Sequence, residues 1–234
     1  MTRDFSASPL RVHLSRSDPQ DQTEFSVNRF TSMTILDVLL AIQHGYDASI
    51  GFRYSCRVAM CGTCTVRVDG HSVLACKTVV PPTADLLHIG PLAGYPVIRD
   101  LIVDTTPFWA QWARVTPYFQ PIASLDEPAV IKPDSAEREA IDPALDCIQC
   151  GACFSSCGIA AADRTFLGPA ALNRAMVLIS DSRDAGDQHR LDLVTQVDGV
   201  DRCHYMYGCT KDCPKGLDPA GAIRMLRTGR TKGK

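Results

Sequence analysis

The chain has 234 residues, 45 % of them apolar, and 26 acidic against 24 basic side chains give a formal charge of −2. That length allows one large domain or two ordinary ones with real cores, and that apolar content argues against disorder. The near-balanced charge offers nucleic acid no basic surface, no apolar run is long enough to cross a bilayer, and the opening MTRDFSASPLRVHLSRSDP lacks a hydrophobic signal core.

In chain order, LRVHLS (10–15) and EFSVNRF (24–30) alternate well enough for paired strands. TILDVLLAIQHG (34–45) is apolar at helical spacing, opens with a Thr34/Asp37 capping-box pattern and ends at Gly45. CTVRVDGHSVLAC (64–76) reads as a hairpin turning at Asp69-Gly70. Strands gripping one helix suggest a β-grasp domain. From about Thr105 the texture changes, and Pro107, Pro117, Pro121, Pro128 and Pro133 punctuate a connecting region. Asp134 with Glu137 is the expected start of the next helix. GPAALNRAMVLISD (168–181) and DPAGAIRMLRTG (218–229) follow as helices, the second with Asp218 as N-cap and Pro219 in the first helical position. The expected fold is α+β in two domains: residues 1–105 a plant-type ferredoxin-like domain, residues 106–234 an α-helical ferredoxin domain.

Eleven cysteines in a chain without an export signal point to metal rather than disulfides, and all eleven fall into three local groups. Cys56, Cys61, Cys64 and Cys76 have the C-x4-C-x2-C spacing of a plant-type [2Fe–2S] site, with the fourth cysteine returning from the hairpin. Soft thiolates suit cluster iron, and zinc sites usually pair two C-x2-C units instead. The second group, CIQCGACFSSC, is C-x2-C-x2-C-x3-C at Cys147, Cys150, Cys153 and Cys157. In that pattern three cysteines hold one cluster and the fourth reaches to a second. The third group, CHYMYGCTKDCP, fits the same pattern with Cys203, Cys209 and Cys213 in place and Met206 at the second ligand position. Crossed over, the sets become Cys147, Cys150, Cys153 and Cys213 for a [4Fe–4S] cluster, and Cys157, Cys203 and Cys209 for a [3Fe–4S] cluster. The alternatives are thioether ligation by Met206 or a non-protein fourth ligand; methionine is usually an adaptable packing residue. No glycine-rich nucleotide loop follows a strand and no catalytic triad or carboxylate pair stands out, so bond chemistry is expected in another subunit.

SCRVAMCGTC with Cys76, YPVIRDLIVD, CIQCGACFSSC, FLGPAAL, DSRD, and CHYMYGC with CPKGLDP together resemble the iron–sulfur subunit of succinate dehydrogenase and fumarate reductase, over nearly the whole chain. The resemblance implies an electron path from FAD in a flavoprotein subunit through [2Fe–2S], [4Fe–4S] and [3Fe–4S] to a quinone in a membrane-anchor subunit, which can also carry haem b. It implies a peripheral place on the cytoplasmic face of the cell membrane and no catalytic residue in this chain. The sequence departs from the family after Cys157, where GIAAAD replaces a proline and a pair of tryptophans. On the quinone side His204 carries over cleanly, and Met206 falls where the family has an apolar residue beside the three-iron cluster. A soluble fumarate-reductase-type complex with a non-quinone donor and a free multi-cluster ferredoxin stay open as rival readings.

Other residues have bland readings beside the functional ones. His204 either bonds a quinone and relays protons or is packed beside the cluster. Trp109 and Trp112, at helical i, i+3 spacing, suggest core or subunit packing. Lys215 reads as a surface lysine or a charge raising a cluster's potential, and the tail RTGRTKGK as a solvated end or a lipid contact. PVIRDL is expected against the flavin subunit, on the resemblance alone.

Overall fold

The computed structural model describes residues 9–17, 22–122 and 129–229. Pro128, residues 1–8 and the basic residues after Gly229 lie outside them. The chain divides into two compact units, Met1–Asp104 with Ile148–Ala152, and Thr105–Cys147 with Cys153–Lys234.

In the first unit, β1 (Leu10–Ser15) and β2 (Gln22–Val27) form an antiparallel pair, and α1 (Ile35–Gly45) follows. β3 (Thr65–Val68), β4 (His71–Leu74) and β5 (Leu86–Gly90) complete a five-stranded sheet of order β2-β1-β5-β3-β4. β1 and β5 run parallel and the other neighbours antiparallel, with the helix gripped as the sequence suggests. The second strand sits earlier than its alternation implies, because Val27 already faces Leu10 and β1 offers no further partner. Outward residues alternate with Leu10, Val12 and Leu14 on the buried face of β1. Thr34 caps α1: its side chain accepts from Asp37 N at 3.2 Å and Asp37 accepts from Thr34 N at 2.9 Å. Ile35, Leu36, Val38, Leu39 and Ile42 then turn onto the sheet core, each worth about 1.5–3 kcal/mol when fully buried. A small second sheet pairs β6 (Val97–Arg99) with β7 (Ile102–Val103).

The second unit is helical. α2 (Thr106–Arg114) occupies the proline-punctuated region, with Pro107 in its first turn, where a missing N–H costs nothing. α3 (Ala136–Leu145) begins one residue later than its acidic signal suggests. Ser135, not Asp134, is the N-cap, its hydroxyl accepting from Arg138 N at 3.2 Å. Glu137 instead turns its carboxylate to Ser182 N at 2.6 Å. The short helix α4 (Ala152–Ser155) lies within the second cysteine run and α5 (Gly158–Ala162) follows it. α6 (Gly168–Ser180) is buried at every residue except Arg174, the mark of a core helix. Around it pack α2, α3, α7 (Asp187–Val194) and, beyond the short α8 (Gly208–Lys211), α9 (Pro219–Thr228). Asp218 caps α9 by accepting from Gly221 N at 2.9 Å. The DSRD segment closes this unit from inside: Arg190, fully buried, pairs with the equally buried Asp184 and donates to Thr116 O and Tyr118 O. Among the described residues no helix is long and apolar enough to cross a membrane.

Candidate metal centres

The hairpin explains the spacing of the first cysteine group. Cys64 enters β3 and Cys76 leaves just beyond β4, so pairing Thr65 with Leu74 returns the two cysteines together, and Ala75 N bonds Cys64 O at 3.1 Å. The rest of the loop is wound by Arg57, Ala59 and Gly62, all in the left-handed region. That winding aims three amides, of Val58, Met60 and Cys61, at Cys56 Sγ from 3.3–3.4 Å. The Thr63 hydroxyl and loop amides hold the exposed Cys61 thiol down at about 6. Burial, reinforced by the facing Cys76, pushes Cys64 up to about 12. Amides converging on sulfur, and thiols too desolvated to ionise alone, suit ligands that give their charge to metal. A Cβ on Gly62 would lie 2.7 Å from Cys150 Cβ and 2.8 Å from Cys150 Cα, so the loop rests directly on the second cysteine run.

The entry to this loop is tied down at Asp100, which sits in YPVIRDLIVD. Its carboxylate accepts from Arg16 Nε at 2.9 Å and from Gly51 N at 2.8 Å. Burial alone would raise Asp100, but these donors and the neighbouring arginines hold it below the usual carboxylate range. Asp100 therefore serves an internal tie, while Ile98 of the same segment is exposed.

In the second unit Cys157, Cys203 and Cys209 come within electrostatic reach of one another. Burial pushes Cys157 up against the amides of Ala160 and Ile159, which favour its thiolate. Burial likewise pushes Cys209 up to about 11. The three line one pocket with Phe166, Met206 and Ile223. Met206 is 72 % exposed, its sulfur 3.8 Å from where a Cβ on Gly158 would stand. Tyr205 and Tyr207 flank it in left-handed conformations, and Arg227 stacks over Tyr205 at 4.9 Å while donating to Cys203 O at 3.1 Å. His204 is exposed and lines this pocket.

Of the remaining cysteines, Cys147 directly follows the end of α3, and Cys150 packs against the first unit's core. Cys153 lies in α4, and Cys213 Sγ accepts from Leu217 N at 3.4 Å. No disulfide joins any of the eleven cysteines, all of which lie among the described residues. Among the described residues no three His, Cys, Asp or Glu side chains gather closely enough for a single ion; cluster thiolates are spread over two or more irons and need more room. Trp109 is 46 % exposed and Trp112 half-buried, so neither fills the core. Phe108 does, one residue earlier, stacked on Trp112 and edge-on to Phe154. Lys215 is half-buried.

Two family models match the chain: a 2Fe-2S iron–sulfur cluster binding domain over residues 11–110 and a 4Fe-4S dicluster domain over residues 143–217. The rice mitochondrial succinate dehydrogenase iron–sulfur subunit 1 is 38 % identical over 195 residues, 82 % of this chain and 69 % of that protein. The fumarate reductase iron–sulfur subunit of Mycobacterium tuberculosis is 38 % identical over 82 % of this chain and 79 % of its own. The chain belongs to the iron–sulfur subunit family of succinate dehydrogenase and fumarate reductase. The family's electron-transfer role and its 2Fe-2S and 4Fe-4S domains come with that membership. The Coxiella burnetii succinate dehydrogenase subunit, 36 % identical over 88 % of this chain and 87 % of its own, agrees. The fold matches a chain of the Mycobacterium smegmatis Sdh1 complex with a TM-score of 0.83 at 21 % identity, covering 96 % of each. Sequence reasoning passed over Ser156, Asp212 and Arg227, because their contacts join segments that no local pattern links, and it passed over Thr63, whose hydroxyl bonds Cys61 within the loop.

Proposed function

We propose that this family member carries electrons between the FAD of a flavoprotein partner and a quinone held by a membrane-anchor partner. Cys56, Cys61, Cys64 and Cys76 would hold [2Fe–2S]; Cys147, Cys150, Cys153 and Cys213, [4Fe–4S]; Cys157, Cys203 and Cys209, [3Fe–4S]. When bound, these clusters supply one-electron transfer without bond rearrangement. The chain's own work is to aim amides at sulfur, to keep water from the buried thiols and to fix the loops by left-handed turns. Residues 1–105 form the first cluster domain in this reading and 106–234 the second. The chain sits peripherally on the cytoplasmic face of the cell membrane, and haem b belongs to the anchor if it is present. The gathering of Cys157, Cys203 and Cys209 beside an outward-turned Met206 is the observation that carries the reading. His204 and Met206, both exposed at that pocket, are placed to meet the acceptor.

One observation favours a second reading. GIAAA forms the short α5 where the family's bulky quinone-side residues are expected, and a soluble partner with a non-quinone donor would need no such residues. Electron paramagnetic resonance on the anaerobically purified, gently oxidised native complex tests the main proposal. The oxidised three-iron cluster is paramagnetic and the other two oxidised clusters are silent. A near-stoichiometric signal supports the assignment, and a silent spectrum at full iron content overturns it. Reduction of the same sample by a quinol, rather than only by a soluble donor, separates the two readings.

A further inference from the structure

The second and third cysteine runs are joined by a side-chain pair that is a ligand candidate in neither. Ser156 immediately precedes Cys157, the fourth cysteine of its run, and Asp212 immediately precedes Cys213, the fourth of the other. The Ser156 hydroxyl donates to Asp212 Oδ2 at 2.5 Å, the short range of a hydroxyl bonded to an ionised carboxylate. The backbone reinforces the junction: Asp212 N bonds Gly208 O at 3.0 Å, and Gly208 itself backs onto the Ser156 carbonyl. Both side chains are half-buried, so the charge is only partly screened by water. The crossed pattern assigns Cys157 and Cys213 to different clusters. Asp212 is therefore the chain neighbour of one ligand, about 3.8 Å away between Cα atoms, and its carboxylate is bonded to the chain neighbour of a ligand to the other.

We propose that Asp212, held by Ser156, is a positioning residue that lowers the reduction potentials of both clusters of the helical unit. A fixed negative charge disfavours the added electron, and net charge with hydrogen bonding is what tunes such centres. The proposal rests on the ligand sets given above.

The test is a redox titration of the native complex, read by electron paramagnetic resonance, in wild type, Asp212→Asn and Ser156→Ala. Asparagine keeps an acceptor for the Ser156 hydroxyl while removing the charge, so both potentials should rise. Alanine at 156 keeps the carboxylate and removes its donor, so both potentials should fall. Unmoved potentials in an Asp212→Asn complex with full cluster signals overturn the proposal. Where Asp212→Asn fails to assemble, Ser156→Ala decides alone: a fall supports the tuning role, and no shift overturns it. Absence of the three-iron signal from wild type would instead remove the ligand sets, a failure visible before any variant is compared.

Discussion

Gly62→Ala probes how the [2Fe–2S] loop is supported, and Gly70→Ala is its internal control. Both glycines have positive φ, 69° and 86°, but a Cβ on Gly70 meets nothing within 4 Å, whereas one on Gly62 falls 2.7 Å from Cys150 Cβ. Alanine in the left-handed region costs about 1–2 kcal/mol, the whole expected effect at the hairpin turn. At Gly62 the close approach adds overpacking of about 1–3 kcal/mol, and backbone Cα lies behind the clash at 2.8 Å, so no side-chain rotation relieves it. The sums are about 2–5 kcal/mol for Gly62→Ala and about 1–2 kcal/mol for Gly70→Ala. At roughly 4 °C per kcal/mol for a domain of about a hundred residues, Tm should drop about 8–20 °C against about 4–8 °C. Thermal melts at one fixed scan rate, followed by the visible absorbance of the clusters and by circular dichroism, give both numbers. A Gly70→Ala protein as destabilised as Gly62→Ala would refute the close-approach argument.

Three further outcomes are expected. Breaking the buried pair with Asp184→Ala or Arg190→Met should cost about 3–5 kcal/mol by stranding one charge, and a double variant with apolar residues at both positions should recover much of the lost Tm. On the proposed ligand sets, in which the 72 % exposed Met206 is no ligand, Met206→Leu should leave iron content and a three-iron signal unchanged; loss of that signal would show thioether ligation. Asp100 has its value lowered in the folded chain, so its tie stabilises above the unfolded value of about 3.9 and is lost as pH falls through the folded one. The Tm difference between wild type and Asp100→Asn should therefore be constant near neutrality and shrink only below about pH 4, whereas a difference changing between pH 6 and 8 would point to another group.

Local signals read well where the chain itself supplies both partners. Thr34 with Asp37, Asp69 with Gly70, and Asp218 with Pro219 each lie within a few residues of what they bond, and the structure places their elements as their chemistry dictates. Where the competition was between adjacent candidates, the reading slipped by one: Ser135 took the cap from Asp134. Phe108, beside the tryptophans, holds the core position, which leaves them the subunit-packing half of their reading. Proline spacing concealed α2, since Pro107 stops nothing when it falls in a first turn. The cysteine spacing placed Cys64 and Cys76 together through a hairpin it could count. It could not show Asp212 meeting Ser156 across 56 residues, nor Gly62 resting on Cys150. Those contacts are tertiary, and no periodicity encodes them.

The membership of Ile148–Ala152 in the first unit has a consequence for biosynthesis. The ribosome finishes Asp104 forty-four residues before Ile148, which is roughly 2–9 s at ordinary elongation rates. Through that interval the nascent first unit lacks the strip that lies against Gly62, so its cysteine loop is uncovered on that side. The strip arrives only after α2 and α3 of the helical unit have been made, so the first unit is completed while the second is already partly synthesised.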